Sequence, residues 1–249
     1  MGNVQSKLLS LQTKNHPIMK EILTFLRDLA ANNNRPWFQA NRSRYDEVRA
    51  HYENIVRSLL VRIAQFDPSI AHLDVKDCTY RIYRDTRFSA DKSPYKRHLG
   101  TFISARGKQS YHAGYYLHLE PTKEDDNGEY GFNGCFAVGG TWYLPSKILK
   151  EVRMSILEDT TTFRSIVENK EFRHTFPTVG YELLKTMPKG FPKDFPHPEW
   201  LRPKVYSCGH QLSEDFFLSS HWLDDLTHIF QVSKPFIDFL NDTIDDYDL

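Results

Sequence analysis

Cysteine is scarce in this chain and widely spaced. Cys78, Cys135 and Cys208 form no Cys-x-x-Cys pair and leave one thiol over in any pairing. That excludes a disulfide framework and a cysteine-caged zinc site, and a reducing, cytoplasmic setting is the expectation. No apolar run approaches a membrane span and no apolar leader core is present, so neither a membrane partner nor secretion is expected. Met1-Gly-Asn-Val-Gln-Ser6 fits an N-myristoylation pattern at Gly2. Basic support is limited to Lys7 and Lys14, and a single acyl chain anchors weakly, so residues 1–17 are read as a flexible terminus.

A charge of one sign is also missing. The 249 residues carry 32 Lys+Arg against 32 Asp+Glu, which argues against nucleic acid as a main partner while leaving room for a local phosphate site. There is no Gly-x-Ser-x-Gly elbow, no Gly-x-Gly-x-x-Gly turn and no Walker loop, and no cysteine sits in a nucleophile motif. These residues therefore name no reaction, and whether the chain is an enzyme stays open. The bulk composition, 40% hydrophobic and 26% charged, is that of an ordinary globular protein. Without a repeat or a linker, it is read as a single domain over residues 18–245.

One stretch breaks the charge balance. From Arg81 to His98 the cations Arg81, Arg84, Arg87, Lys92, Lys96 and Arg97 face only Asp85 and Asp91, a local excess of four. Tyr80 to Arg84 is aromatic and β-branched, which predicts a strand with Arg81, Tyr83 and Asp85 on one face and Tyr80, Ile82 and Arg84 on the other. Pro94 places a turn before the chain turns back. Guanidinium and ammonium groups at this density fit a carboxylate or a phosphate. The candidate ligand-binding set is Arg81, Arg84, Asp85, Arg87, Lys92, Tyr95 and Lys96, with Trp37, Arg42 and Arg153 as secondary candidates. Asp85, between Arg84 and Arg87, should stay ionised. His98 is the candidate acid or base because imidazole titrates in the useful range.

The phrase Arg81-Ile-Tyr-Arg-Asp-Thr-Arg-Phe-Ser-Ala-Asp-Lys-Ser-Pro-Tyr-Lys96 resembles the signature of a conserved-hypothetical family, domain of unknown function 2461. Asn32-Asn-Asn-Arg-Pro-Trp-Phe-Gln-Ala-Asn-Arg-Ser-Arg-Tyr45 resembles the family's other mark, as do Gly139-Gly140 and Pro145 ahead of a helix bearing Arg153. The resemblance covers residues 18 to 240. It implies a mostly bacterial, cytoplasmic family and carries over no reaction or catalytic residue.

Along the rest of the chain, helical spacing predicts helices over 19–31 and 42–66, with a short helix or turn between them at Pro36. Strands are expected at 98–104, 110–120 and 132–138, and Arg106-Gly-Lys-Gln reads as a hairpin loop. In the second strand, Tyr111, Ala113, Tyr115, Leu117 and Leu119 share one face, and His112, Tyr116, His118 and Glu120 the other. His118-x-Glu120 with His98 could form a metal triad, but the spacing lacks a ligand frame, and no metal or cofactor is expected. Pro121 to Glu129 is an acidic loop. Gly139-Gly140 reads as a bulge or tight connection rather than an anion cradle.

Helices follow at 146–158 and 161–168. Five prolines interleaved with Phe191, Phe195 and Trp200 make 187–204 an ordered strap without regular structure, either a lid or a cover. Two helices, 219–231 and 234–245, precede a solvated acidic end. The expected fold is α+β: a mainly antiparallel sheet with helices from both chain ends packed on it. The leading functional expectation is a small anionic ligand on the Arg-rich stretch. The alternative is a protein-interaction module whose Arg/Asp motif is a structural ion-pair network.

Overall fold

The periodic apolar residues Met19, Ile22, Leu23, Phe25, Leu26 and Leu29 form the buried stripe of helix α1 (Asn15–Ala31). This computed structural model describes residues 15–123 and 132–247. The Gly2 pattern and most of the acidic loop at 121–129 fall outside those residues. At the end of α1, Asn34 caps α2 (Arg35–Ala40) by accepting from the Trp37 N–H, and Pro36 sits in the first turn, where a missing N–H costs nothing. Helix α3 (Arg42–Ile63) buries Tyr45, Val48, Tyr52, Ile55, Leu59 and Ile63 on one stripe, as the spacing predicts. Asp67 then caps a 3₁₀ turn at Pro68–Ile70, and a capping box from Asp74 starts the one-turn helix α4 (Val75–Cys78).

Five antiparallel strands follow: β1 (Leu99–Ile103), β2 (Gly114–Leu119), β3 (Cys135–Tyr143), β4 (Val179–Tyr181) and β5 (Val205–Leu212), in the order β1-β2-β3-β5-β4. The inner face carries Leu99, Ile103, Tyr115, Leu117, Leu119, Ala137 and Cys208 into the core. Tyr52 on α3 hydrogen-bonds Thr101 across that face, and the Tyr115 hydroxyl donates to Asp67 at 2.8 Å. The long helix α9 (Trp222–Ile244) lies against β3. Its Ser233 comes so close that a Cβ on Gly139 would stand 2.4 Å from the serine Cβ. Gly140, at φ +136°, sits where the β3–β5 register shifts. The glycine pair therefore serves close helix approach and a bulge, not an anion cradle.

Helices α5 (Ser146–Glu158), α6 (Thr160–Val167) and α7 (Lys170–Thr175) follow β3; the side chains of Asp159 and Asn169 cap α6 and α7. The strap packs over this helical side. Phe191 and Trp200 are buried, Trp200 meets Phe163 at 5.4 Å, and the Tyr206 hydroxyl donates to Trp200 O at 2.8 Å. The chain is thus a single α+β domain with an open antiparallel sheet.

Three expectations need correction. Tyr80–Arg84 is not a sheet strand. Its pairing is limited to single bridges, Thr79 to Thr101 and Tyr83 to Tyr95, because the segment folds back on its own return. Arg84 N donates to Pro94 O at 3.0 Å and Lys96 N to Ile82 O at 2.8 Å. The alternation of faces nonetheless holds: Arg81, Tyr83 and Asp85 point outward while Ile82 is buried. The strap contains one regular turn, α8 (Pro198–Leu201), which begins on a proline. The last two helices are one. Pro235 lies inside α9 on its exposed side, where water hydrates the carbonyl left without its N–H partner. The acidic end is exposed through Tyr247, as expected, and Asp245 also pairs with Arg106 at 2.7 Å and with His112 at 3.1 Å.

Candidate functional site

The outer face of β1–β2–β3 is open, and two adjoining cavities lie along it, of about 390 and 370 Å³. They share Lys96, His98, His118 and Phe136 in their walls. The first is polar, with Arg97, Glu120 and Lys123 added to the shared residues. The second is aromatic, bounded by Tyr80, Phe102, Tyr111, Tyr116, Trp142 and Tyr143. Together they form a groove with a charged half and an aromatic half.

The local chemistry of the floor follows from strand geometry. Leu99 pairs with Leu119 and Gly100 with His118. Continuing that register sets His98 across from Glu120, and His118 and Glu120, two apart on one strand, share a face. The donor atoms of His98, His118 and Glu120 lie within 4.8 Å of one another. The His118 ring is sandwiched between Phe136 at 4.5 Å and His98 at 4.4 Å. Its Nδ1 lies 2.9 Å from the Tyr116 hydroxyl and its Nε2 3.1 Å from Glu120 Oε2. The other oxygen, Glu120 Oε1, faces Lys123 at 3.0 Å and Arg97 at 3.9 Å. Gly100 leaves room for Tyr116, because a Cβ there would sit 2.9 Å from the tyrosine hydroxyl.

Burial works to raise the Glu120 carboxyl, but the hydrogen bonds from His118 and Lys123 outweigh it and bring it down to about 2. Burial, then the neighbouring His118, pushes the His98 imidazole down to about 3. His98 therefore stays neutral near pH 7 and lies outside the range in which an imidazole acts as acid or base there. Burial, then Arg81, lowers the Lys96 ammonium. Lys96 Nζ stands 5.2 Å from the centre of the Tyr80 ring, with no carboxylate paired to it among the described residues.

Of the candidates read from the sequence, Arg84, Tyr95, Lys96 and His98 reach the groove. Tyr95 is the pivot. Its backbone exchanges hydrogen bonds with the Asn33 side chain at 2.9 and 3.1 Å, and its ring stacks on Phe38 at 4.0 Å. The Asn-rich phrase upstream thus holds the basic phrase in place.

The outer turn saturates itself. Arg84 pairs with Asp91 and donates to Ser93 O and Oγ, both at 3.2 Å; Arg87 grips Asp85 at 2.7 and 3.0 Å; Lys92 donates to Thr86 O at 3.0 Å. Asp85 is held below the usual carboxylate range by Arg87, and Asp91 by Ser93 and then Arg84. Arg81 is exposed and lines neither cavity.

The secondary candidates lie elsewhere. Trp37 packs on Phe25 at 6.0 Å, and Arg42 bonds Asp46 at 3.0 Å. Arg153 is buried and donates to Pro203 O at 2.6 Å. No strap residue borders either cavity, which removes the lid reading.

Fold and site define a single-domain α+β protein with a mixed polar and aromatic groove on the open face of its sheet. The chain belongs to the family described as conserved hypothetical protein (DUF2461), whose model matches residues 21–239. No curated protein and no solved structure matches it.

Proposed function

We propose that this protein binds a small ligand that joins an anionic group, phosphate or carboxylate, to a flat or apolar body. The anion lies in the polar half of the groove and the body in the aromatic half. The observation that supports this most directly is Lys96. Its ammonium borders both halves, is half-buried, and has an aromatic ring but, among the described residues, no carboxylate beside it. A cation withdrawn from water without a counter-charge is costly, and an anionic ligand offsets that cost. Arg97 and Lys123 add positive charge but share Glu120, and Lys108 donates to Lys76 O, so among the described residues Lys96 is the half-buried groove cation without a hydrogen-bonded partner. Rings along the second half suit stacking against a planar group.

The test is calorimetric titration of tag-free, metal-free protein with inorganic phosphate and with phenyl phosphate. The reading expects saturable binding, tighter for phenyl phosphate, and at least about a tenfold loss in Lys96→Met, the size of one well-placed ionic contact. No saturable binding of either, or unchanged binding in Lys96→Met, removes the reading.

A second reading, a protein-interaction surface, draws on one observation at the outer turn. Phe88 is 96% exposed at the tip of an ion-paired loop. An apolar ring presented on a locally braced turn suits a protein contact. Pull-down with purified wild-type and Phe88→Ser chains tests it: a partner held equally by both discards the reading.

A further inference from the structure

We propose that His98, His118 and Glu120 form a binding site for a divalent first-row transition ion, opening into the polar half of the groove. The inference stands apart from the anion reading, since none of its three ligands is Lys96. Two imidazoles and one carboxylate are a donor set for zinc, manganese, iron or cobalt rather than for calcium or magnesium.

Four observations support it. The three donors come from adjacent strand positions on one face and lie within 4.8 Å of one another. The His98 and His118 ring centres are 4.4 Å apart.

The Glu120 carboxylate is divided in use. Lys123 and Arg97 face Oε1, while Oε2 is turned to His118. The cations thus orient the carboxylate and leave one oxygen for the ion, the usual work of groups behind a ligand. On the far side of His118, the Tyr116 hydroxyl meets Nδ1 at 2.9 Å; by accepting from Nδ1–H it would leave Nε2 for the ion. His98 has ring contacts only. No hydrogen bond reaches either of its nitrogens from the described residues, although its ring borders both cavities. Among the described residues, an imidazole in that position lacks a hydrogen-bond partner that an ion would supply. The nearby Lys96 and Arg97 oppose the ion's charge, and the Glu120 carboxylate offsets that in part.

The experiment is titration of tag-free, chelator-treated full-length protein with cobalt(II), followed by ligand-field absorption, with zinc(II) as competitor. Saturable absorption that zinc displaces is expected. His98→Ala and Glu120→Gln should each weaken it at least about tenfold, Tyr116→Phe less, and the exposed His72→Ala not at all. Circular dichroism checks that each variant is folded. Glu120→Gln keeps shape and volume and decides the matter should His98→Ala fail to fold. No saturable cobalt absorption in the wild type, or affinity unchanged in the folded variants, overturns the site. Because the titration contains no phosphate or phenyl phosphate, its result is independent of the anion reading.

Discussion

The two halves of the basic phrase behave in opposite ways. From Arg84 to Ser93 the cations are spent within the turn, on Asp85, Asp91 and backbone carbonyls. From Tyr95 to His98 the chain re-enters the fold, and Lys96 and His98 reach the groove without a carboxylate bonded to either among the described residues. Density of charge is thus a poor guide to which cations the fold leaves without a carboxylate. What matters is which cations the fold leaves without a partner. The outer half braces the turn, and the inner half brings Lys96 and His98 to the groove.

The largest effect expected from breaking this arrangement comes from its pivot. Phe38 is fully buried and stacks on Tyr95. Phe38→Ala should cost about 3–5 kcal/mol of folding stability by leaving a cavity under Tyr95. Urea unfolding measures it; a loss of a few tenths would mean that the pivot is not held from below.

Next comes Lys96→Met, which should lose at least about tenfold in phenyl phosphate affinity, equivalent to about 1.4 kcal/mol, with little change in unfolding temperature. Arg84→Ala removes a half-buried ion pair at the rim and should cost about 1 kcal/mol of stability and no more than a few-fold in affinity. Unfolding of the whole domain by Arg84→Ala would reverse the division between the two halves.

The smallest effect belongs to Arg87→Ala. Its side chain is 77% exposed, and the pair it forms with Asp85 is local. Neither unfolding temperature nor affinity should change measurably. A large affinity loss there would place the ligand on the outer turn instead.

The N-terminal helices were legible because their apolar residues recur at helical spacing, as in Met19–Leu29 and Tyr45–Ile63. The two faces of β2 were equally legible from alternation, which set Tyr116, His118 and Glu120 opposite Tyr115, Leu117 and Leu119. Strand β5 was not. It is an interior strand buried on both faces over most of its length, and Gly209 interrupts its pattern, so no alternation marks it. The His98–His118–Glu120 cluster was half legible, since spacing placed two donors on one face but could not supply the cross-strand register that adds the third.

The aromatic half of the groove was missed. Trp142 and Tyr143 lie beyond a glycine pair that reads as a strand end, yet β3 runs through it. The self-pairing of the outer turn was missed for a different reason. A count of unlike charges does not record that Asp85 and Arg87 are two residues apart on one face and that Asp91 folds back under Arg84.

The most direct test of the division is one calorimetric series: phenyl phosphate titrated into metal-free wild type, Lys96→Met and Arg87→Ala under identical salt. The account predicts saturable binding to the wild type, unchanged in Arg87→Ala and weakened at least about tenfold in Lys96→Met. Binding lost in Arg87→Ala and kept in Lys96→Met would contradict it.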